Sequence, residues 1–134
     1  MCKKFQTFLI PSGPDKHLYV VITDADDSGM HVLANITSID PEIPYDKSCC
    51  LAAGEHPFVK HDSYIAYEFA VVRQGLHVDK QVELGNYIQK DDADGALVEK
   101  IRIGLKKSPF AKRGLKDDFD KAVRAEEKRN KATQ

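Results

Sequence analysis

Lys60, His61 and Asp62 stand side by side in the segment VKHDS. They bring a cation, an acid/base group and a carboxylate to three consecutive positions. Those types suit metal-free cleavage of RNA, in which a ribose 2′-hydroxyl attacks its own neighbouring phosphate. That reaction needs a base for the 2′-proton, a cation near the developing phosphorane charge, and an acid for the leaving 5′-oxygen. If the segment is extended, strand alternation puts Lys60 and Asp62 on one face and His61 on the other. The same charges also suit a hairpin edge kept polar against unwanted strand pairing. Lys16 and His17 lie in the loop before the second predicted strand, where a ligand can be met. Thr37 and Ser38 end the apolar run VLANITS, where a hydroxyl either caps a turn or binds phosphate or base.

Other chemistries find less support. Cys50, His56 and His61 are spaced by six and five residues, and a zinc ion would want Cys49 or His17 as a fourth ligand. The segment has no C-x-x-C pair, and adjacent Cys49 and Cys50 point to opposite faces of a strand. No metal and no cofactor are expected. A Cys50 thiolate paired with His56 or His61 has no local signature. No P-loop and no G-x-G-x-x-G occurs, so nucleoside triphosphate chemistry has no motif to rest on.

The elements that must hold these groups are mostly strands. KFQTFLI ends at the turn formers PSGPDK, HLYVVITD at ADDSG, and MHVLANITSI at Pro41 and Pro44. SCCLAA is short and stops at Gly54. SYIAYEFAVVR reads as one strand, with Ile65, Tyr67 and Phe69 on one face and Tyr64, Ala66 and Ala70 on the other. Strands at this spacing predict a small antiparallel barrel or sandwich. The period then changes. Leu97, Val98, Ile101 and Leu105 share a helical face, with acids near its start and Lys106 and Lys107 near its end. Pro109 interrupts it. A second helix from about Leu115 would bury Leu115, Phe119, Ala122 and Val123, fraying at EEKRNKATQ.

The 134 residues predict a single domain, 1–134, with a β body over about 1–90 and a helical part over about 91–134. The net charge of −1 hides an asymmetry. Residues 1–99 carry 8 Lys/Arg against 16 Asp/Glu, whereas residues 100–134 carry 12 against 5. A basic end on an acidic body suits an arm for an anionic partner, or a solvated helix. Three cysteines, two of them adjacent, fit a reducing compartment, and no apolar run is long enough for a membrane span. The expected location is cytoplasmic, away from membranes.

Three stretches resemble the MazF/PemK/Kid family of toxin endoribonucleases over about residues 5–105. PSGPDKHLYVVITD is similar to that family's glycine-containing loop and following strand. VLANITSI resembles its hydroxyl-bearing strand, with Thr37 at the hydroxyl position. FVKHDSYIAYEFAVV resembles the later strand, with Lys60, His61 and Asp62 followed by Ser63 and Tyr64. The resemblance implies a small SH3-like antiparallel barrel; with the two helices read from periodicity, which exceed the family's usual compact terminus, the expected fold is mainly β with C-terminal α. It implies a toxin–antitoxin endoribonuclease acting on single-stranded RNA, with an antitoxin protein and a second copy of the chain as partners. Lys60, Asp62, His61 and Thr37 become the catalytic set, with Lys60 on the phosphorane, Asp62 orienting Lys60 or acting as base, and His61 or His17 as acid/base. Lys16, His17, Ser38 and Tyr64 become substrate-binding. The chain departs from the family in having no arginine before Arg73 and Asn35 in place of proline. The alternative is a non-catalytic SH3-like module that binds nucleic acid, or a protein through Phe58, Tyr64 and Tyr67.

Overall fold

The run Leu18–Ile22 is continuously apolar because both faces of its strand are covered. The computed structural model describes residues 1–133. It contains strands β1 (Thr7–Ser12), β2 (Asp15–Val21), β3 (Met30–Ser38), β4 (Cys50–Leu51), β5 (Ser63–Ile65), β6 (Val71–Gln74) and β7 (Ile88–Lys90). Helix α1 (Gly75–Glu83) lies between β6 and β7, and α2 (Gly95–Lys107) and α3 (Arg113–Ala132) follow. Every strand pairing is antiparallel, in the order β4-β5-β3-β2-β1-β7, with β6 also on β3. The path ends at β4 and β7, with no pairing between them among the described residues.

One sheet face carries Leu18, Val20, Ile22, Val32, Ala34 and Ile36 against Leu97, Ile101 and Leu105 of α2 and Leu115 and Phe119 of α3. The other carries Phe8, Ile10, Tyr19, Val21 and Leu33, and packs beneath Val78 of α1. Both expected helical faces are buried, and Val123 packs against the core. Asp94 caps α2 by accepting from the Leu97 amide at 2.7 Å. Among the described residues, no helix is long and apolar enough to cross a membrane.

Three differences from the sequence reading have physical causes. SYIAYEFAVVR is not one strand, because a 3₁₀ turn at Tyr67–Phe69 separates β5 from β6. Both strands pair with the same edge of β3, and the register advances by three residues between them, the length of the turn. Ile65 and Tyr67 stay buried, but Phe69 is turned out to 54% exposure. Helix α1 and strand β7 have no clear periodic signature, since only Val78 of α1 is buried and Leu76 is 81% exposed. Finally, α3 does not fray at EEKRN but continues to Ala132. Glu126 is buried there, bonded to Arg102 Nη1 at 2.9 Å and to the Asp24 amide at 2.8 Å, with Lys4 Nζ at 3.5 Å. The basic end is therefore a packed helix rather than a free arm.

Candidate functional site

At the ends of β2 and β3 the sheet opens into a cleft of about 500 Å³. Three separate stretches of chain meet there. The β1–β2 hairpin supplies Lys16 and His17, the end of β3 supplies Thr37 and Ser38, and the loop before β5 supplies Lys60 and His61. Leu18, Ile36 and Val59 add apolar lining, and Asp15 and Phe58 lie at the same cleft.

Local chemistry explains each contribution. Gly13, at φ +65°, and Pro14 form a two-residue turn that lets Ser12 pair with Asp15 and His17 with Ile10. The loop carrying Lys60 is anchored by His56, which is only 2% exposed. Its Nε2 lies 2.6 Å from the Asp91 carbonyl oxygen, and its Nδ1 lies 3.0 Å from the Phe58 amide. The carbonyl can only accept and the amide only donate, so the ring is neutral with its proton on Nε2. His56 is thus scaffold, committed on both nitrogens, and not a free metal ligand. The Val59 amide donates to the His56 carbonyl at 2.9 Å, closing the turn. The chain bends at His61, and Ser63 Oγ donates back to the His61 carbonyl at 2.9 Å.

That bend decides which side chains share the cleft. Residues 60–62 are not in a strand, so the conditional alternation of Lys60 and Asp62 does not apply. Lys60 and His61 line the cleft together. Asp62 lines a separate groove with Tyr45, Cys50, Glu55 and Lys100, and its Oδ1 lies 3.4 Å from the Ala53 amide. Asp15 is the carboxylate residue lining the cleft, and its place directly before Lys16 is the only sequence signal for it. Tyr64 does not line the cleft, but it pairs across the sheet with Thr37 and packs on Tyr45 at 5.2 Å between ring centroids. Burial, with lesser contributions from Glu68 and Asp46, raises the Tyr64 phenol above its ordinary pKa.

The cleft's polar groups are largely uncommitted. Lys16 and Lys60 form no salt bridge among the described residues. His17 is half-buried, and its Nδ1 is shielded from solvent without a hydrogen-bond partner. Thr37 Oγ1 donates to Asn35 Oδ1 at 2.6 Å, while the buried Asn35 Nδ2 has no partner. A half-turn of the Asn35 amide would let Nδ2 donate to Thr37 Oγ1 and release the Thr37 proton toward the cleft. Two lysines, two histidines and a hydroxyl can bind a phosphodiester and move protons around it. No group of three potential metal ligands is present among the described residues.

Comparisons with protein-family models, with curated proteins and with solved structures find no match to this chain.

Proposed function

We propose that the chain is a MazF/PemK-like endoribonuclease of toxin type, built on an SH3-like barrel, that cleaves single-stranded RNA without a metal. One observation carries the reading: Lys16, His17, Thr37, Ser38, Lys60 and His61 come from three distant stretches and line one cleft. A scissile phosphate between Lys16 and Lys60 would have its developing charge balanced from two sides. His17 and His61 share the proton transfers, one taking the 2′-proton and the other giving a proton to the 5′-oxygen. The 2′-oxygen–phosphorus bond forms, the phosphorus–5′-oxygen bond breaks, and the products are a 2′,3′-cyclic phosphate and a 5′-hydroxyl. Asp62 has no part in this version of the site, because it faces another groove. The resemblance to toxins further supports an antitoxin protein covering the cleft, a second copy of the chain, and a cytoplasmic setting.

The purified protein should cleave single-stranded RNA in the presence of a chelator and leave cyclic phosphate ends. Lys60→Ala should abolish cleavage while the urea midpoint stays unchanged. Intact RNA after long incubation with the folded wild-type protein would overturn the proposal. One observation favours a non-catalytic binding module instead: among the described residues no arginine lines the cleft, so bidentate phosphate recognition is missing there. That reading expects RNA to be retained but not cut.

A further inference from the structure

The cleft holds one large aromatic ring that the cleavage chemistry does not use. Phe58 lines the cleft, and among the described residues no other Phe or Tyr does. It is 41% exposed, although His56 before it and Val59 after it are buried. The turn imposes that exposure. The Phe58 amide donates to the buried His56 Nδ1 at 3.0 Å, and the Val59 carbonyl accepts from the Gly54 amide at 2.8 Å. With His56 and Val59 both fixed inward, the ring between them is held outward.

Phe58 also lines a second, smaller pocket of about 160 Å³, with His56, Pro57, Lys90 and Asp91. Lys90 Nζ sits 5.7 Å from the Phe58 ring centroid, over the ring. Lys90 belongs to β7 and forms no salt bridge among the described residues. Asp91 is the acid of this pocket, and its carbonyl oxygen is the one that anchors His56. The ring therefore has a cation on one face and adjoins the cleft that Lys16 and Lys60 line. Phe58 and Lys60 are two residues apart, so their Cα atoms are separated by at most about 7 Å. A single nucleotide can span that gap, with its phosphate at the lysine and a base at the ring.

On the ribonuclease reading of the cleft, we propose that Phe58 is the stacking platform for the RNA base adjoining the scissile linkage. The base enters from the cleft and lies on the ring face opposite Lys90. Stacking accepts any base, because every base presents a π-face. The platform thus adds affinity and register to the cleft without adding sequence preference.

An RNA carrying a 2′-deoxy residue at the cleavage position binds without being cut, and its affinity can be followed by anisotropy of an end label. Phe58→Leu should weaken binding about tenfold, the scale of one lost base–aromatic stack, whereas Phe58→Tyr should bind about as tightly as wild type. Leucine keeps an apolar side chain at the turn, and an unchanged urea midpoint should show that the variant remains folded. A base-free residue on one side of the cleavage position should weaken wild-type binding by a similar factor and add little to the Leu variant. A Leu variant that binds RNA like wild type, beside a Lys60→Ala protein that has lost binding, would overturn the platform and leave the cleft standing; the ring would then suit a protein partner. Equal weakening by Phe58→Leu on intact RNA and on RNA base-free at either side would make the ring structural and also defeat the proposal. A wild-type protein that binds no RNA at all would remove both readings.

Discussion

Lys60 and Asp62 are two residues apart, yet they serve different surfaces, and this makes their variants diagnostic. Lys60→Ala should abolish cleavage, whereas Asp62→Ala should leave the rate within a few-fold of wild type in the same gel assay. His17→Ala and His61→Ala should each reduce the rate about 10²- to 10⁴-fold, the usual worth of a positioned acid or base. The Asn35–Thr37 pair behaves differently. Asn35→Ala removes an unsatisfied buried donor together with the hydrogen bond, so the unfolding free energy from urea titration should fall by only about 1 kcal/mol. The cysteines also separate cleanly. Burial pushes the Cys2 thiol up to about 12 and the Cys49 thiol up to about 11, and Cys50 is exposed. At pH 8 a thiol reagent should modify Cys50 rapidly, and Cys2 and Cys49 only on unfolding. A raised folded thiol pKa gives stability that is intact below the ordinary value of 9.0 and declines as pH climbs toward those folded values. Denaturation midpoints should therefore fall above pH 9.

At the scale of elements, α2 and the 3₁₀ turn meet where there is no room for a side chain. A Cβ on Gly104 would lie 2.8 Å from the Cys49 Cβ, 3.0 Å from the Ser48 carbonyl oxygen, and nearer still to the Tyr67 hydroxyl. That hydroxyl donates to the Ile101 carbonyl at 2.6 Å, so it cannot move without losing a buried bond. Gly104→Ala should lower unfolding free energy by about 1–3 kcal/mol, despite alanine's better helix propensity. Nothing in the local pattern IRIGLKK announces this contact. Glu126 is a comparable case in α3. It reads as one charge in a polar tail, but it gathers Arg102, Lys4 and the Asp24 amide at a buried point. Glu126→Ala should destabilise the fold by about 3 kcal/mol or more, because Arg102 would lose the partner of its partly buried charge.

For the whole molecule, the division into an acidic body and a basic end does not give two mobile parts. Leu115, Phe119, Ala122 and Ala125 of α3 are buried, and Arg129 donates to the Ala25 carbonyl. Deleting residues 113–134 should therefore abolish the cooperative urea transition rather than leave a folded body with weaker affinity for anions. Part of the basic end's charge is paired with acids of the same chain at the surface, as Lys100 pairs with Glu55 at 3.0 Å and Lys106 with Asp120 at 3.4 Å. RNA affinity should instead follow the free lysines of the cleft. The slope of log affinity against log salt should shrink by about 0.7 for each of Lys16→Ala and Lys60→Ala.

Local rules reached a good part of this molecule. The order of the first four strands, the apolar faces of α2 and α3, and the opposite orientations of Cys49 and Cys50 follow from periodicity and turn residues, which act over a few positions. The chemical types gathered at Lys16, His17, Thr37, Lys60 and His61 could also be picked out. Which of them share a cleft could not, because that depends on sheet register and on the bend at His61. The 3₁₀ turn that divides a seemingly continuous strand, the anchoring of the Lys60 loop by His56 on Asp91, and the exclusion of Asp62 all arise between residues far apart in sequence. Tertiary structure decided these, since a side chain's direction in a loop is set by the long-range hydrogen bonds that hold its backbone.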